Sequence, residues 1–411
     1  MFWGSLELHH HPDATAVVRD LAPDEPVILN RPHAAKRAAR FFVQKFPGKV
    51  LYAVKANPSA DLLLLQWEAG VTHYDVASIA EVRLVRETLP EATLCFMHPV
   101  KTERAIEEAY FRHGCKTFSL DSVEELEKIV RATTRDGAAA KDLRLCVRLR
   151  VSSEYSELSL AAKFGVDLTE APALLQATRQ VADWLGVCFH VGSQAMTPFA
   201  YVQALERVRA AIAEASVVID MIDVGGGFPS VYPGMEPPPL EDYFKIIHQH
   251  FYALPIAYNA ELWCEPGRAL CAEYNSMIVR VEKRRGNELF INDGAYGALF
   301  DAAHIGWRFP VRRIAADGTA GNDVEAEDFA FYGPTCDDAD FMEGPFQLPG
   351  DIRAGDYIEV GMLGAYGAAM RTGFNGFGTG PVATVDDEPM SSLYRGDRDD
   401  PRVSDNVVSL R

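Results

Sequence analysis

A lysine stands at the end of an apolar run, in Val50-Leu51-Tyr52-Ala53-Val54-Lys55-Ala56-Asn57-Pro58. The run reads as a buried strand, and the Asn-Pro pair closes it. An ammonium seldom ends a buried strand without a partner. Covalent chemistry is one reason for it, since a desolvated lysine can shed its proton and form an imine with a carbonyl compound. Further along, Gly225-Gly226-Gly227 exposes backbone N–H groups that admit an anion. Arg268 can add a forked, permanent positive charge, and Ser193 a hydroxyl. Glu265, if buried, needs a cationic or protonated partner. His190 offers a flat ring that can stack.

These residues need elements to bring them together. Short apolar strands are expected at residues 50–54, 71–76, 93–97, 117–120, 143–149, 187–190, 221–224 and 262–264. Helical spacing fills the gaps, as at residues 79–88, 123–133 and 199–216. Eight alternating βα units favour a closed (β/α)8 barrel over an open doubly wound sheet. Polar residues fall at or just after the strand ends: Lys55, Asp75, His98, Asp121, Arg148, His190, the triple glycine and Glu265-Pro266-Gly267-Arg268. In a barrel these ends converge on one face, where active sites lie, and the loops after strands seven and eight often hold phosphate. Lysine, phosphate cradle, carboxylate and flat ring together describe a pocket for pyridoxal 5′-phosphate.

Beyond Cys271 the helical spacing stops. Strand-like runs recur at residues 276–281, 288–291, 329–332, 357–360 and 382–384 and read as an antiparallel β domain. The expected division is residues 1–30 joining that β domain, 31–272 the barrel, 273–390 the β domain and 391–411 a polar tail. From Asp386 onward the chain is charged and poor in apolar residues, so much of it is expected to be mobile. Residues 315–328 read as an exposed loop. The β domain holds a second chemical cluster, Gly333-Pro334-Thr335-Cys336-Asp337-Asp338-Ala339-Asp340, a thiol beside acids in a turn. Tyr366, between glycines, is expected to face a ligand or partner.

Composition sets the outer bounds. The chain has 411 residues, 48% hydrophobic and 24% charged, enough for a large core and two domains. A net charge of −18 without a basic patch argues against nucleic acid. The seven cysteines lack paired metal spacing and read as reduced thiols. No leader and no membrane-length apolar stretch is evident, so the cytoplasm is the expected compartment. His9-His10-His11 reads as an exposed turn rather than a metal tract, and no metal site is expected.

With these motifs in order, the chain resembles the fold-type III pyridoxal-phosphate decarboxylases, the alanine-racemase-like barrel group, and within it the ornithine decarboxylase branch. The resemblance rests on Tyr52–Asn57, Asp75-Val76-Ala77-Ser78 with Glu81, Lys163-Phe164-Gly165, Phe189–Ser193, Asp223–Pro229, Glu265–Arg268, Asn292-Asp293-Gly294, Gly333–Asp337, Gly364-Ala365-Tyr366 and Phe374–Phe377. It implies that Lys55 carries the cofactor, His190 stacks on its ring and Glu265 binds its nitrogen. Gly227, Arg268, Ser193 and Tyr366 would hold the phosphate, Gly226 and Gly267 would also bind the cofactor, and Asp75 and Arg148 would orient the pocket. Cys336 would protonate the substrate carbon. Asp301 and Asp337 would bind the substrate's distal ammonium, and Tyr296 would also bind substrate. The resemblance further implies a homodimer with shared sites, the Cys-Asp pair coming from the partner subunit. The implied reaction is decarboxylation of L-ornithine to putrescine, with lysine or dual activity as the alternative. A diaminopimelate decarboxylase fits less well, since here Asp337-Asp338 follows the cysteine. A racemase or a non-catalytic regulatory homologue also fits less well.

Overall fold

Eight parallel strands close on themselves in the computed structural model, which describes residues 7–160, 162–319 and 324–394. Two strands precede them, β1 (Glu7–His11) and β2 (Val27–Asn30). The barrel strands are β3 (Lys49–Ala53), β4 (His73–Val76), β5 (Thr93–Phe96), β6 (Thr117–Leu120), β7 (Arg144–Arg148), β9 (Trp184–Cys188), β11 (Met221–Asp223) and β12 (Glu261–Cys264). Strand β11 pairs with both β9 and β12, and β12 with β3, which closes the ring. Two short strands, β8 (Ser156–Leu158) and β10 (Ser193–Ala195), form a separate ribbon over the mouth side. The expected (β/α)8 barrel is therefore present.

The strands are apolar on both faces, as parallel strands covered by helices must be. Inside the barrel, Leu51, Cys95, Met97, Cys146, Cys188, Met221 and Trp263 pack as one cluster. Outside, the helices start at capping side chains: Ser78 accepts from the Glu81 amide, and Ser122 from the Glu125 amide. Glu81 reaches back to the Ala77 amide at 2.7 Å, anchoring the turn that follows β4.

Three strand ends differ from expectation. The first barrel strand stops at Ala53, and Lys55 lies in a single 3-10 turn, Val54–Ala56. The turn forms because Asn57 donates back to Val54 (3.1 Å) and Ala56 accepts from the Tyr366 amide (2.7 Å). The sixth stops at Cys188, so His190 lies in a turn that leads into Gly192, at φ +105°. Asp75 sits inside β4 rather than at its end.

The second sheet contains β13 (Asn275–Arg285), β14 (Glu288–Ile291), β15 (Val311–Ile314), β16 (Ala326–Tyr332), β17 (Phe341–Pro349), β18 (Tyr357–Val360) and β19 (Val382–Val385), together with β1 and β2. It is mixed, not antiparallel: β1 and β2 both run parallel to β19, and β14 parallel to β16. Parallel neighbours need long connections, and here the barrel itself and the stretch between β14 and β16 provide them. Strands β15 and β17 were not anticipated, because charges, Gly and Pro break their apolar alternation. Residues 326–328, expected in a loop, begin β16; part of that expected loop lies outside the described residues.

Two further expectations are corrected. His10 and His11 belong to β1 rather than a turn; His11 is buried and meets Asp20 at 3.2 Å. The stretch from Asp386 to Tyr394 is tied down. Asp387 pairs with buried Arg31 at 2.7 Å and Glu388 with Arg37 at 2.8 Å, while the Tyr394 hydroxyl donates to the Ala269 carbonyl at 2.8 Å. The rest of the expected mobile tail, residues 395–411, lies outside the described residues.

Candidate active site

The C-terminal ends of the barrel strands bring Lys55, Asp75, Arg148, His190, Asp223, Glu265 and Arg268 to one face. Lys55 Nζ meets Asp75 Oδ2 at 2.7 Å; the carboxylate is buried, while 40% of the lysine side chain faces the open mouth. Burial opposes the lysine's charge, but Asp75, Glu265 and Tyr366 outweigh it and hold the ammonium above the ordinary lysine range. This corrects the expectation of a lysine deprotonated by desolvation alone: an acid at hydrogen-bond distance keeps it charged.

His190 is the opposite case. Burial, then Arg148 and Lys55, push its pKa well below the usual value, so the ring is neutral. Its Nδ1 accepts the Gly192 amide at 3.1 Å, which places the proton on Nε2. The backbone at Gly226 runs against this ring: a Cβ there would stand 3.0 Å from His190 Nε2 and 2.8 Å from the Glu265 carbonyl. Only glycine leaves that space open. The glycine loop is pinned from both sides, with Gly225 donating to Asp223 Oδ1 (2.8 Å) and accepting from the Glu265 amide (2.8 Å).

Asp223 and Glu265 form a buried carboxyl pair on adjacent strands. Burial raises both, Asp223 to about 7 and Glu265 well above the usual carboxylate range, where the charges of Asp223 and Asp75 add to burial. Asp223 Oδ2 and Glu265 Oε1 are both buried and receive no hydrogen bond from any group outside this pair. A protonated ring nitrogen is a donor such a pair can accept. Asp223 was not singled out from sequence, although it directly precedes the Val224-Gly225 step.

Arg268 is buried. Its Nη1 donates to the Tyr232 hydroxyl at 2.9 Å and Nη2 meets Asp301 Oδ2 at 3.4 Å, while Nε has no acceptor. Its guanidinium lies over Trp307 (4.1 Å) and Tyr366 (5.0 Å). Gly267 packs against Ala56 and Ala53, so the segment carrying Arg268 abuts the lysine turn. Ser193 begins β10, just beyond Gly192, and Arg148 lies over the Phe164 ring at 5.6 Å. Tyr232 and Trp307 were missed. Tyr232 lies in an unusually long Pro- and Gly-rich loop after a barrel strand, a signal that could have flagged it. Nothing near Trp307 marks it.

The residues present suit pyridoxal phosphate. A charged lysine, an arginine with a spare buried donor, a close-approach glycine loop, a neutral stacking ring and a donor-poor carboxyl pair occupy one face.

Asp301 thus sits beside Arg268, and the remaining expected residues lie apart. Cys336 is the only exposed one of the seven cysteines. Its amide donates to Asn375 Oδ1 at 3.1 Å. Asp337 accepts from the Tyr296 hydroxyl at 2.5 Å, which holds its carboxyl below the usual range. Asp340 shapes the turn, accepting from the Thr335 amide, the Thr335 hydroxyl and the Ala295 amide at 3.0, 2.7 and 2.7 Å.

Comparison with known proteins adds to this geometry. Residues 33–272 match the pyridoxal binding domain of pyridoxal-dependent decarboxylases, and residues 270–364 match the C-terminal sheet domain of the same family. A lysine/ornithine decarboxylase of Selenomonas ruminantium is 29% identical over 361 residues, spanning 85% of this chain and 87% of that protein. An ornithine decarboxylase of Cricetulus griseus is 28% identical, spanning 86% and 79%. Among solved structures, an SrLDC mutant in complex with PLP superposes with a TM-score of 0.78 at 26% identity, covering 93% of this chain and 96% of that one.

Proposed function

This chain belongs to the pyridoxal-dependent decarboxylases, and from that premise we propose that its preferred substrate is L-ornithine and its product putrescine. At the coarser level it is a pyridoxal-phosphate-dependent decarboxylase of basic amino acids. The observation that supports a cationic substrate is Asp337, held ionised by Tyr296 immediately beside Cys336. An ionised carboxylate accepts hydrogen bonds only, and an ammonium has three to give.

The chain's own groups have definable tasks. Asp75 orients Lys55 and must take or pass on its proton before the amine can attack a carbonyl carbon. Glu265, with Asp223 behind it, would hold a proton at the cofactor's ring nitrogen. His190, kept neutral, would cover one ring face without placing a second positive charge there. Arg268, Ser193, Tyr366 and the backbone of Gly226, Gly227 and Gly267 would secure the phosphate. When bound, pyridoxal phosphate supplies an electron sink for the bond between the α-carbon and its carboxylate. Cys336 would return a proton to the α-carbon, and Asp337 with Tyr296 would position the distal ammonium. Asp301 can assist only to the extent that Arg268 leaves it free.

Cys336 and Asp337 make their hydrogen bonds to Tyr296, Ala339 and Asn375, all outside the barrel. Phe374 and Phe377 are exposed, and the Phe374 ring packs on Tyr296 with ring centres 4.9 Å apart. These facts support a homodimer in which one subunit's Cys336 turn covers its partner's barrel mouth. Lysine is the second reading, because one methylene changes selectivity by only about 1–3 kcal/mol. Initial rates with ornithine, lysine, arginine and diaminopimelate under one condition test the assignment. Fastest turnover of any substrate but ornithine overturns it.

A further inference from the structure

Arg268 is a buried cation whose acidic partner stands at the far limit of hydrogen-bond distance. It is 5% exposed, and its one acidic partner among the described residues, Asp301, stands at 3.4 Å. A buried cation so weakly paired is costly unless other groups compensate. Three aromatic side chains do so. The Tyr232 hydroxyl accepts from Nη1 at 2.9 Å, and the guanidinium carbon lies 4.1 Å from the Trp307 ring centre, 5.0 Å from that of Tyr366 and 5.6 Å from that of Tyr232. Tyr232 and Trp307 support each other, with ring centres 5.3 Å apart, and Phe309 meets Tyr232 edge-on at 88°.

Such a cage does more than offset charge. Aromatic contacts use the faces of a guanidinium, while anions are bound at its edges. Trp307, 4.1 Å from the guanidinium carbon, limits how the group can tilt, and the Tyr232 bond limits its rotation. Nε remains buried without an acceptor, a donor that a phosphate oxygen would complete. The two clamping residues come from different parts of the chain. Tyr232 lies in the loop after β11, and Trp307 in the segment between the Phe300–His304 helix and β15.

We propose that Tyr232 and Trp307 are positioning residues that hold the Arg268 guanidinium in the plane and rotation its phosphate contact requires. The inference rests on Arg268 being the phosphate ligand, and the test separates the two.

Purified holoprotein is stripped of cofactor and titrated with pyridoxal phosphate and, separately, with pyridoxal, which lacks the phosphate. The visible absorbance of the lysine-bound aldehyde reports binding. Tyr232→Phe should weaken pyridoxal phosphate roughly 10-fold, as loss of a hydrogen bond to a charged group implies. Trp307→Leu should weaken it roughly 3- to 30-fold, and Trp307→Phe less. Pyridoxal affinity should stay unchanged within about two-fold in all three, because the clamp acts only through the phosphate. Equal losses for both aldehydes, or no loss for either, overturn the positioning role. Arg268→Met provides the reference. If it alone loses selectivity for the phosphate form, the phosphate reading stands and the clamp falls. If Arg268→Met keeps that selectivity, the phosphate reading itself falls and takes the clamp with it. Should Trp307→Leu fail to fold, Tyr232→Phe and Trp307→Phe carry the same comparison.

Discussion

The two ends of the barrel both gather charge, yet they treat it differently. At the floor, the first residues of five strands interlock. Lys49 pairs with Glu261 at 2.8 Å and lies over Trp263, Glu261 also accepts from the Trp263 indole at 2.8 Å, and Arg144 covers Trp184. His73 packs edge-on to Trp263. At the mouth, Asp223 Oδ2, Glu265 Oε1 and Arg268 Nε are buried without partners. Two of these three atoms belong to acids and the third to a cation, and all three gather where the strand ends converge. The floor is satisfied by the chain itself. The mouth is arranged for something the chain does not contain, which agrees with active sites lying at this end of such barrels.

The sharpest way to break this comparison is at Lys55. Lys55→Ala should reduce turnover to background and abolish the visible absorbance of the lysine-bound cofactor, while the chain still folds with a lowered Tm, because the buried Asp75 carboxylate loses its ammonium. Normal turnover by the purified variant would remove the mouth from the chemistry.

A second test asks whether one chain's mouth is sufficient. Lys55→Ala and Cys336→Ala, each inactive alone, should recover up to about a quarter of wild-type sites after mixing, as random reassortment of a two-fold dimer dictates. Absence of recovery, with subunit exchange demonstrated by differently tagged chains, would place the whole site within one subunit.

How much of this was readable beforehand divides along the same lines. The barrel strands were legible because parallel, doubly covered strands are short β-branched and apolar runs with polar ends. Lys55, Asp75, Glu265 and the glycine loop were legible because chemistry on a barrel concentrates at those ends. The parallel partners of β19 were not, since nothing local in residues 382–385 names strands at the other end of the chain. Tyr232 and Trp307 were hidden for the same reason: their meeting over Arg268 is a long-range contact, and each alone looks like an ordinary core aromatic. The short turn at Lys55 was obscured because Tyr366, far along the chain, supplies the hydrogen bond that shapes it.

Asp337 tests the substrate end. Removing this acid takes an ionised acceptor away from the substrate's ammonium, which has three hydrogen bonds to give. Asp337→Asn should therefore lower kcat/KM for ornithine about 30-fold or more, with cofactor absorbance intact. The loss should exceed that for an uncharged analogue of similar length. Equal losses on both would assign Asp337 to catalysis or folding, and no loss would remove the main support for a cationic substrate.

The smallest expected effect lies at the floor, and it should touch stability without touching activity. Burial, with help from Lys49, lowers the His73 pKa to about 4, against about 6.5 in an unfolded chain. Above pH 6.5 both states hold a neutral ring and His73 contributes no pH dependence. As pH falls from 6.5 towards 4, the unfolded chain takes up a proton that the folded chain refuses, so stability drops across that window. Partial exposure of the ring limits the drop to about 1–2 kcal/mol. His73→Gln cannot titrate, so the Tm difference between wild type and variant should shift in the variant's favour on going from pH 7.5 to pH 5. Turnover at pH 7.5 should be unchanged within about two-fold, because the floor has no path to the substrate except through the fold. A Tm difference independent of pH would mean the ring is not held neutral. A large loss of turnover would mean that the satisfied end of the barrel also serves the chemistry, and the contrast between floor and mouth would fail.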